Sequence, residues 1–302
     1  MAPPLESAAA SYQPIGRAAA EVGLARGRQR ALAMARAVQA PGAEVRVELA
    51  KDAMTPDPIT MRHTDTVEAC ALIFRQHGFR HLPIVDARGG LAGMITTHRV
   101  EGRSAGEDLA SLLQPVDVVC AAEDPLAPIM RALARTSQDV AVVVDGDQRP
   151  VGVITEHDAM VYASLVLSDD VRVQHVRPRD VGQIDPQRRA HVAMLEMISQ
   201  RIHHLVVVDD GAMVGVLSYG DLLRAGAHHA RDVLVDDVIR RRDVISARDG
   251  DSVREAARLM AVHHIGCVPI LGPDDFPVRV VTRTDVLEVL SAALDVEQAV
   301  GR

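Results

Sequence analysis

The chain has 302 residues, 33 of them basic and 41 acidic, for a formal net charge of −8, and 48% are hydrophobic. This length holds about two ordinary domains with a substantial core, and the profile is that of a globular chain. Aromatic residues make up 2% with no tryptophan, which argues against a single-strand nucleic-acid surface of stacking rings, and the negative charge argues against a general DNA binder.

Lys51 is the sole lysine and asparagine is absent, the bias of a GC-rich genome and not a functional signal. Cys70, Cys120 and Cys267 lie far apart. Their spacing fits neither a zinc site nor a redox pair, so they are expected to be small buried apolar residues. No apolar run approaches the roughly 18 residues of a membrane span, and the N-terminus lacks the apolar core of a signal peptide. A cytoplasmic protein is expected.

Residues 1–40 carry Arg17, Arg26, Arg28, Arg30 and Arg36 against Glu6 and Glu21. The first fifteen residues read as a loose tail. Residues 17–39 are rich in Ala and Arg and predict a helix, although Gly23 and Gly27 weaken it. Such a helix serves either as a solvated or packing helix or as a contact for an acidic partner surface.

From residue 50 onward a pattern recurs. Four apolar stripes have helical spacing: Val67, Cys70, Ala71, Phe74; Leu126, Ile129, Met130, Leu133; Ala190, Ala193, Met194, Met197; and Val253, Ala256, Ala257, Met260. Each is followed by a short apolar strand: LPIVD from Leu82, AVVVD from Ala141, LVVVD from Leu205 and VPIL from Val268. A turn comes next, then a second strand ending in Thr96, Thr155, Ser218 or Thr282. These hydroxyl residues stand 29, 29, 28 and 29 positions after their stripes begin. Leading strands are expected near Ile59–Thr60, Val116–Val119, Val181–Ile184 and Val244–Ser246. The unit is strand, helix, strand, strand, helix. At about 60 residues it buries too little surface to stand alone, so neighbours are expected to pair. Residues Gly102–Leu113 link the first two units, and Ser168–Arg179 is the expected boundary between two pairs.

The second strand enters its helix through a short signature: GMITTHRV from Gly93, GVITEHDAM from Gly152, GVLSYGDLL from Gly215 and RVVTRTDVL from Arg279. A hydroxyl and an acid three residues apart, such as Thr155 and Asp158, form a capping box that satisfies free N–H groups. The same arrangement serves a nucleotide. A helix start offers donors to a phosphate, and an adjacent acid accepts from a ribose diol.

These segments resemble cystathionine-β-synthase (CBS) domains over about residues 50–290. The resemblance implies an α/β (α+β) fold of four β-α-β-β-α repeats paired into two Bateman modules, with an N-terminal helix. The corresponding divisions are 1–49 for tail and helix, then repeats at 50–105, 106–167, 173–228 and 233–295. In this family two modules commonly assemble into a flat disc. Clefts between paired repeats bind AMP, ADP, ATP or S-adenosylmethionine, with the signature Thr/Ser and Asp on ribose and phosphate. The resemblance assigns Thr155 and Asp158 to repeat two, with Val118, Val119 and Val140 near the base. It assigns Ser218 and Asp221 to repeat three, with His204 near the base, and Thr282 and Asp285 to repeat four, with Val244, Ile245 and Cys267. Repeat one keeps Thr96, but Arg99 replaces the acid and can only donate. That site is expected to lack a conventional nucleotide, or Arg99 reaches a phosphate held elsewhere in the module. Arg279 in place of the signature glycine is expected to crowd the fourth pocket.

His203–His204 and His263–His264 are adjacent pairs, whose members diverge on strands and helices alike, so no metal is expected. His81, His157 and His204 read as groups lining a phosphate, or else as surface or capping residues. His228–His229 lies in a linker without an assigned role. No nucleophile elbow or Walker loop is present, and the family regulates other proteins, so no enzymatic activity is expected. The primary expectation is a nucleotide sensor, a homodimer through surface on the N-terminal helix, with an unidentified protein partner and no nucleic acid or membrane. Its rivals are a scaffold with empty sites and a minor nucleotide hydrolase.

Overall fold

The structure is a computed structural model that describes residues 49–100, 103, 107–136, 138–176, 181–226, 232–239 and 244–300, with side chains to residue 295. The helix expected at 17–39 and the pair His228–His229 lie outside the described residues. The chain divides into two compact units, residues 1–162 with 294–302 and residues 163–293.

Unit one contains two copies of the pattern. The first runs through α1 (Ala50–Ala53), β1 (Thr55–Pro56), β2 (Met61–Arg62), α2 (Val67–His77), β3 (His81–Val85), β4 (Leu91–Thr96) and α3 (Thr97–Val100). The second follows a 3-10 turn at Leu109–Leu112, with β5 (Val118–Ala121), α4 (Leu126–Arg135), β6 (Val140–Val144), β7 (Pro150–Thr155) and α5 (Glu156–Val166). In each copy the leading strand is parallel to the next, and the last two form an antiparallel hairpin. Unit two repeats this with β8 (Gln183–Ile184), α6 (Ala190–Gln200), β9 (His204–Asp209), β10 (Ala212–Ser218) and α7 (Tyr219–Arg224). Its second copy has α8 (Val235–Val238), β11 (Ala247–Arg248), α9 (Val253–His263), β12 (Cys267–Leu271), β13 (Pro277–Thr282) and α10 (Arg283–Val300).

The helical stripes face the cores. Val67, Cys70 and Phe74 pack with Leu82, Ile84 and Ile95 in the first copy, and Ala190, Ala193 and Met197 with Leu205, Val207 and Leu217 in the third. In the first stripe Ile73 is buried and Ala71 only partly so. The helices begin on side-chain caps where the sequence supplies them: the Thr66 hydroxyl accepts from the Ala69 amide, and Ser252 from Glu255. Such a cap contributes about 1 kcal/mol.

The leading strands lie later than hydropathy alone indicated. They are Met61–Arg62, Val118–Ala121, Gln183–Ile184 and Ala247–Arg248, each beginning two or three residues after the start expected near Ile59–Thr60, Val116–Val119, Val181–Ile184 and Val244–Ser246. The cause is the turn that must follow. Asp65 accepts from the Arg62 amide, and Asp251 from Arg248, so pairing runs up to the turn that opens each helix. Val244 and Ile245 consequently fall outside a strand.

Paired copies exchange their leading segments. In unit one, β1 pairs with β7 of the other copy, Thr55 opposite Val153 and Pro56 opposite Gly152. Gln114, which precedes the second copy, pairs with Met94 of the first through bonds of 2.8 and 3.0 Å. The short helical turns close the helix starts of the partner copy. Ala50 donates to the Asp124 carbonyl, and Leu109 to Asp65. In unit two Val173 donates to Asp251 and Val235 to Arg188. A further apolar layer joins the copies of unit one, with Met94 and Leu91 against Val140, Val142 and Val144. In unit one each copy therefore completes its sheet and caps with chain from its neighbour, and in unit two the helix starts are closed in the same way.

Candidate functional site

All four signatures fold in the same way. The hydroxyl residue ends a strand directly opposite the first residue of the preceding strand: His81 with Thr96, Val140 with Thr155, His204 with Ser218 and Cys267 with Thr282. The following amide donates to the carbonyl just before that strand. These bonds are Thr97 to Arg80, 3.1 Å; Glu156 to Asp139, 3.1 Å; Tyr219 to His203, 2.9 Å; and Arg283 to Gly266, 3.2 Å. One donor at each helix start is thereby used within the fold.

The expected acids complete the hydroxyls. Asp158 Oδ2 accepts from the Thr155 amide at 2.7 Å and its hydroxyl at 2.8 Å. Burial, against these hydrogen bonds, pushes the Asp158 carboxyl up to about 6. Asp285 accepts from the Thr282 amide and hydroxyl at 2.7 and 2.6 Å, and it is 0% exposed. Asp221 accepts from the Ser218 amide at 2.9 Å and from its hydroxyl, and it is also paired with Arg224. The hydroxyl–acid unit is preformed in repeats two, three and four.

The residues expected near the base divide. Val140 and Cys267 adjoin the hydroxyls but are almost fully buried. Burial, then the nearby Asp285, pushes the Cys267 thiol up to about 12. Val118 is buried and Val119 is 43% exposed. His204 is partly buried opposite Ser218, and Val244 and Ile245 are partly buried.

Repeat one differs. Arg99 Nη2 and Nε lie 2.8 and 3.2 Å from the side-chain oxygen of Gln114, with the Gln114 amide turned to face them. In the acid's place the guanidinium holds the exchanged segment. The signature glycines serve that segment too. A Cβ on Gly93 would lie 2.5 Å from the Gln114 carbonyl oxygen, and one on Gly152 would meet Met54. Arg279, at the equivalent place in repeat four, donates to the Gln174 carbonyl at 3.4 Å and lies 3.2 Å from Asp249. It faces the exchanged segment, so the expected crowding of a ligand pocket has a different physical content.

Sequence reasoning passed over four groups at the junction of paired repeats. Arg80 of repeat one lies 3.9 Å from Glu156 of repeat two. In unit two, a Cβ on Gly266 would lie 3.1 Å from His204 Nε2 and 3.8 Å from Arg283 Nε. Their signal was positional: the residue after the signature hydroxyl and the one before the facing strand. His81 was singled out. Burial, then Arg80, pushes its imidazole down to about 4, against a hydrogen bond to the Gln138 backbone. Among the described residues no group of three His, Cys, Asp or Glu is arranged to hold a metal, and no helix is long and apolar enough to cross a membrane.

The CBS domain family matches residues 50–101, 110–164, 178–228 and 235–292. The chain belongs to this family. It is a tandem of four CBS domains, paired as two Bateman modules. The uncharacterized protein MJ1225 of Methanocaldococcus jannaschii is 22% identical over 276 residues, covering 80% of this chain and 98% of that one. Its crystal structure matches 77% of this chain and 96% of that chain with a TM-score of 0.61. An uncharacterized conserved protein from Pyrococcus horikoshii matches 81% of this chain and all of its own, with 24% identity and a TM-score of 0.61. Likenesses at this identity show the fold. CBSX2, solved in complex with AMP, is similar over 42% of this chain and 98% of its own, with 23% identity and a TM-score of 0.35.

Proposed function

We propose that the protein is a regulatory sensor that binds AMP, ADP, ATP or a related adenosyl ligand in the clefts between paired repeats and passes a conformational change to a protein partner. The observation that carries this is the preformed hydroxyl–acid unit at Thr155–Asp158, which ends a strand at the junction with repeat one. A carboxylate already held by an amide and a hydroxyl is oriented for a ribose diol with little further ordering cost. Ser218–Asp221 and Thr282–Asp285 supply the same unit in unit two. Ligand binding regulates only through unequal affinity for two states. The reading places the protein in the cytoplasm, where adenine nucleotides are held, and as a homodimer through the N-terminal helix. Mass that stays at 32 kDa by light scattering at high concentration would count against the dimer.

A scaffold with empty sites is favoured by three particulars: Arg99 is engaged with Gln114, Asp221 with Arg224, and Asp285 is enclosed. A thermal-shift panel separates the two readings, because a ligand that binds only the folded state raises its stability. The sensor reading expects AMP, ADP, ATP or S-adenosylmethionine to raise the Tm at millimolar concentration or below. A flat panel leaves the scaffold.

A further inference from the structure

The two units carry opposite charge at equivalent places in their clefts. In unit one the residue after the signature hydroxyl is Glu156, bonded through its amide to the carbonyl of Asp139. In unit two these places hold Arg283 and Gly266, joined by the same bond. Two carboxylates are exchanged for one guanidinium and a bare Cα. The facing repeat offsets part of this contrast in unit one, where one cation stands against the two carboxylates. Unit one offers Arg80, 3.9 Å from the Glu156 carboxylate, and His81, whose lowered pKa of about 4 leaves it neutral at pH 7. Unit two offers His204, whose Nε2 converges with Arg283 Nε on Gly266, both within 4 Å of the place a Cβ there would take. These two nitrogens come from different repeats of the pair and meet where Gly266 adds no side chain.

We infer that the two clefts sort adenosine ligands by charge: unit two, between His204 and Arg283, takes the phosphate of a nucleotide, whereas unit one, with Asp139 and Glu156, takes an adenosine ligand that lacks phosphate, a sulfonium nucleoside included. This rests on the reading of the clefts as adenosine sites. A phosphate monoester carries about −1.5 to −2 charges at neutral pH. Its bonds to a guanidinium are charge-assisted and roughly twice as strong as neutral ones. Facing it with carboxylates suppresses binding, since like charge set against like is a strong means of rejecting a wrong ligand. A sulfonium reverses the preference for the same reason.

Calorimetric titration of the full chain with AMP, adenosine and S-adenosylmethionine tests this, using wild type, Arg283→Glu, Arg283→Gln and Glu156→Arg. The inference expects Arg283→Glu to lower the AMP-to-adenosine affinity ratio about tenfold or more, and Arg283→Gln to lower it by a smaller factor. Glu156→Arg is expected to strengthen AMP binding about tenfold and to weaken S-adenosylmethionine. Arg283→Gln adds no charge and keeps the test decisive if the reversed charge disturbs folding. Ratios that stay within about twofold of wild type in all variants overturn the sorting while leaving adenosine binding intact. Absence of heat and of thermal shift with all three compounds overturns both readings.

Discussion

The two units differ at the signature position of their second strands: unit one has a glycine in both repeats, Gly93 and Gly152, whereas unit two has Gly215 in one and Arg279 in the other. In the first, Thr55–Pro56 lies along Val153–Gly152 and Gln114 along Met94. In the second, the Ile239 side chain approaches Gly215, and Arg279 reaches the Gln174 carbonyl. The signature glycine is a requirement of close main-chain approach, and it can be lost where a side chain makes the contact instead.

The sharpest way to break that contrast is to add a side chain at each glycine. Gly93→Val would press on a backbone oxygen 2.5 Å from the new Cβ, which cannot turn aside. It is expected to destabilise unit one by about 3 kcal/mol in urea unfolding. Gly215→Ala meets only the end of Ile239, at 3.3 Å, and is expected to cost under about 1 kcal/mol. Equal costs would show that the Gln114 carbonyl gives way as readily as the Ile239 side chain.

Next in size is Asp158. Asp158→Ala removes the acceptor of the Thr155 unit and is expected to weaken ligand binding in unit one about ten- to a hundredfold by calorimetry. A variant that folds and keeps wild-type affinity would mark Asp158 as a cap alone. The acid also predicts a pH dependence. Its folded pKa of about 6 lies above the ordinary value of 3.8, so the folded state holds this proton more tightly. The resulting stabilisation is present at low pH and is lost as pH rises from about 4 to 6, amounting to about 1–2 kcal/mol after allowance for partial exposure. Ligand affinity is expected to run the other way and rise between about pH 5 and 7, because a ribose diol donates to the ionised carboxylate. Asp158→Asn should flatten both curves.

Arg99→Ala is expected to have the smallest effect that still separates the repeats. It releases Gln114 and should cost unit one about 0.5–1.5 kcal/mol, with nucleotide binding retained. Loss of binding would place Arg99 on a ligand and not on the exchanged segment.

The sequence made the four helices and hairpins legible because each repeats one hydrophobic stripe, one apolar strand and one hydroxyl at nearly constant spacing. The Thr155–Asp158 and Thr282–Asp285 units were legible too, since a hydroxyl and an acid three residues apart at a helix start can hardly avoid one another. The leading strands were misplaced by a few residues. Their ends are set by Asp65 and Asp251 accepting from the turn, and hydropathy does not report such bonds.

What the sequence determined by itself is therefore everything carried by local spacing: the repeat, its helical faces, its caps and its hydroxyl–acid pairs. Tertiary structure decided which copy completes which sheet, why Gly93 must lack a side chain, and that Arg99 reaches Gln114. It also decided that Arg80 stands by Glu156 and His204 by Arg283. These contacts join residues far apart in the chain, and only the pairing of two copies brings them within the few ångströms over which packing and charge act.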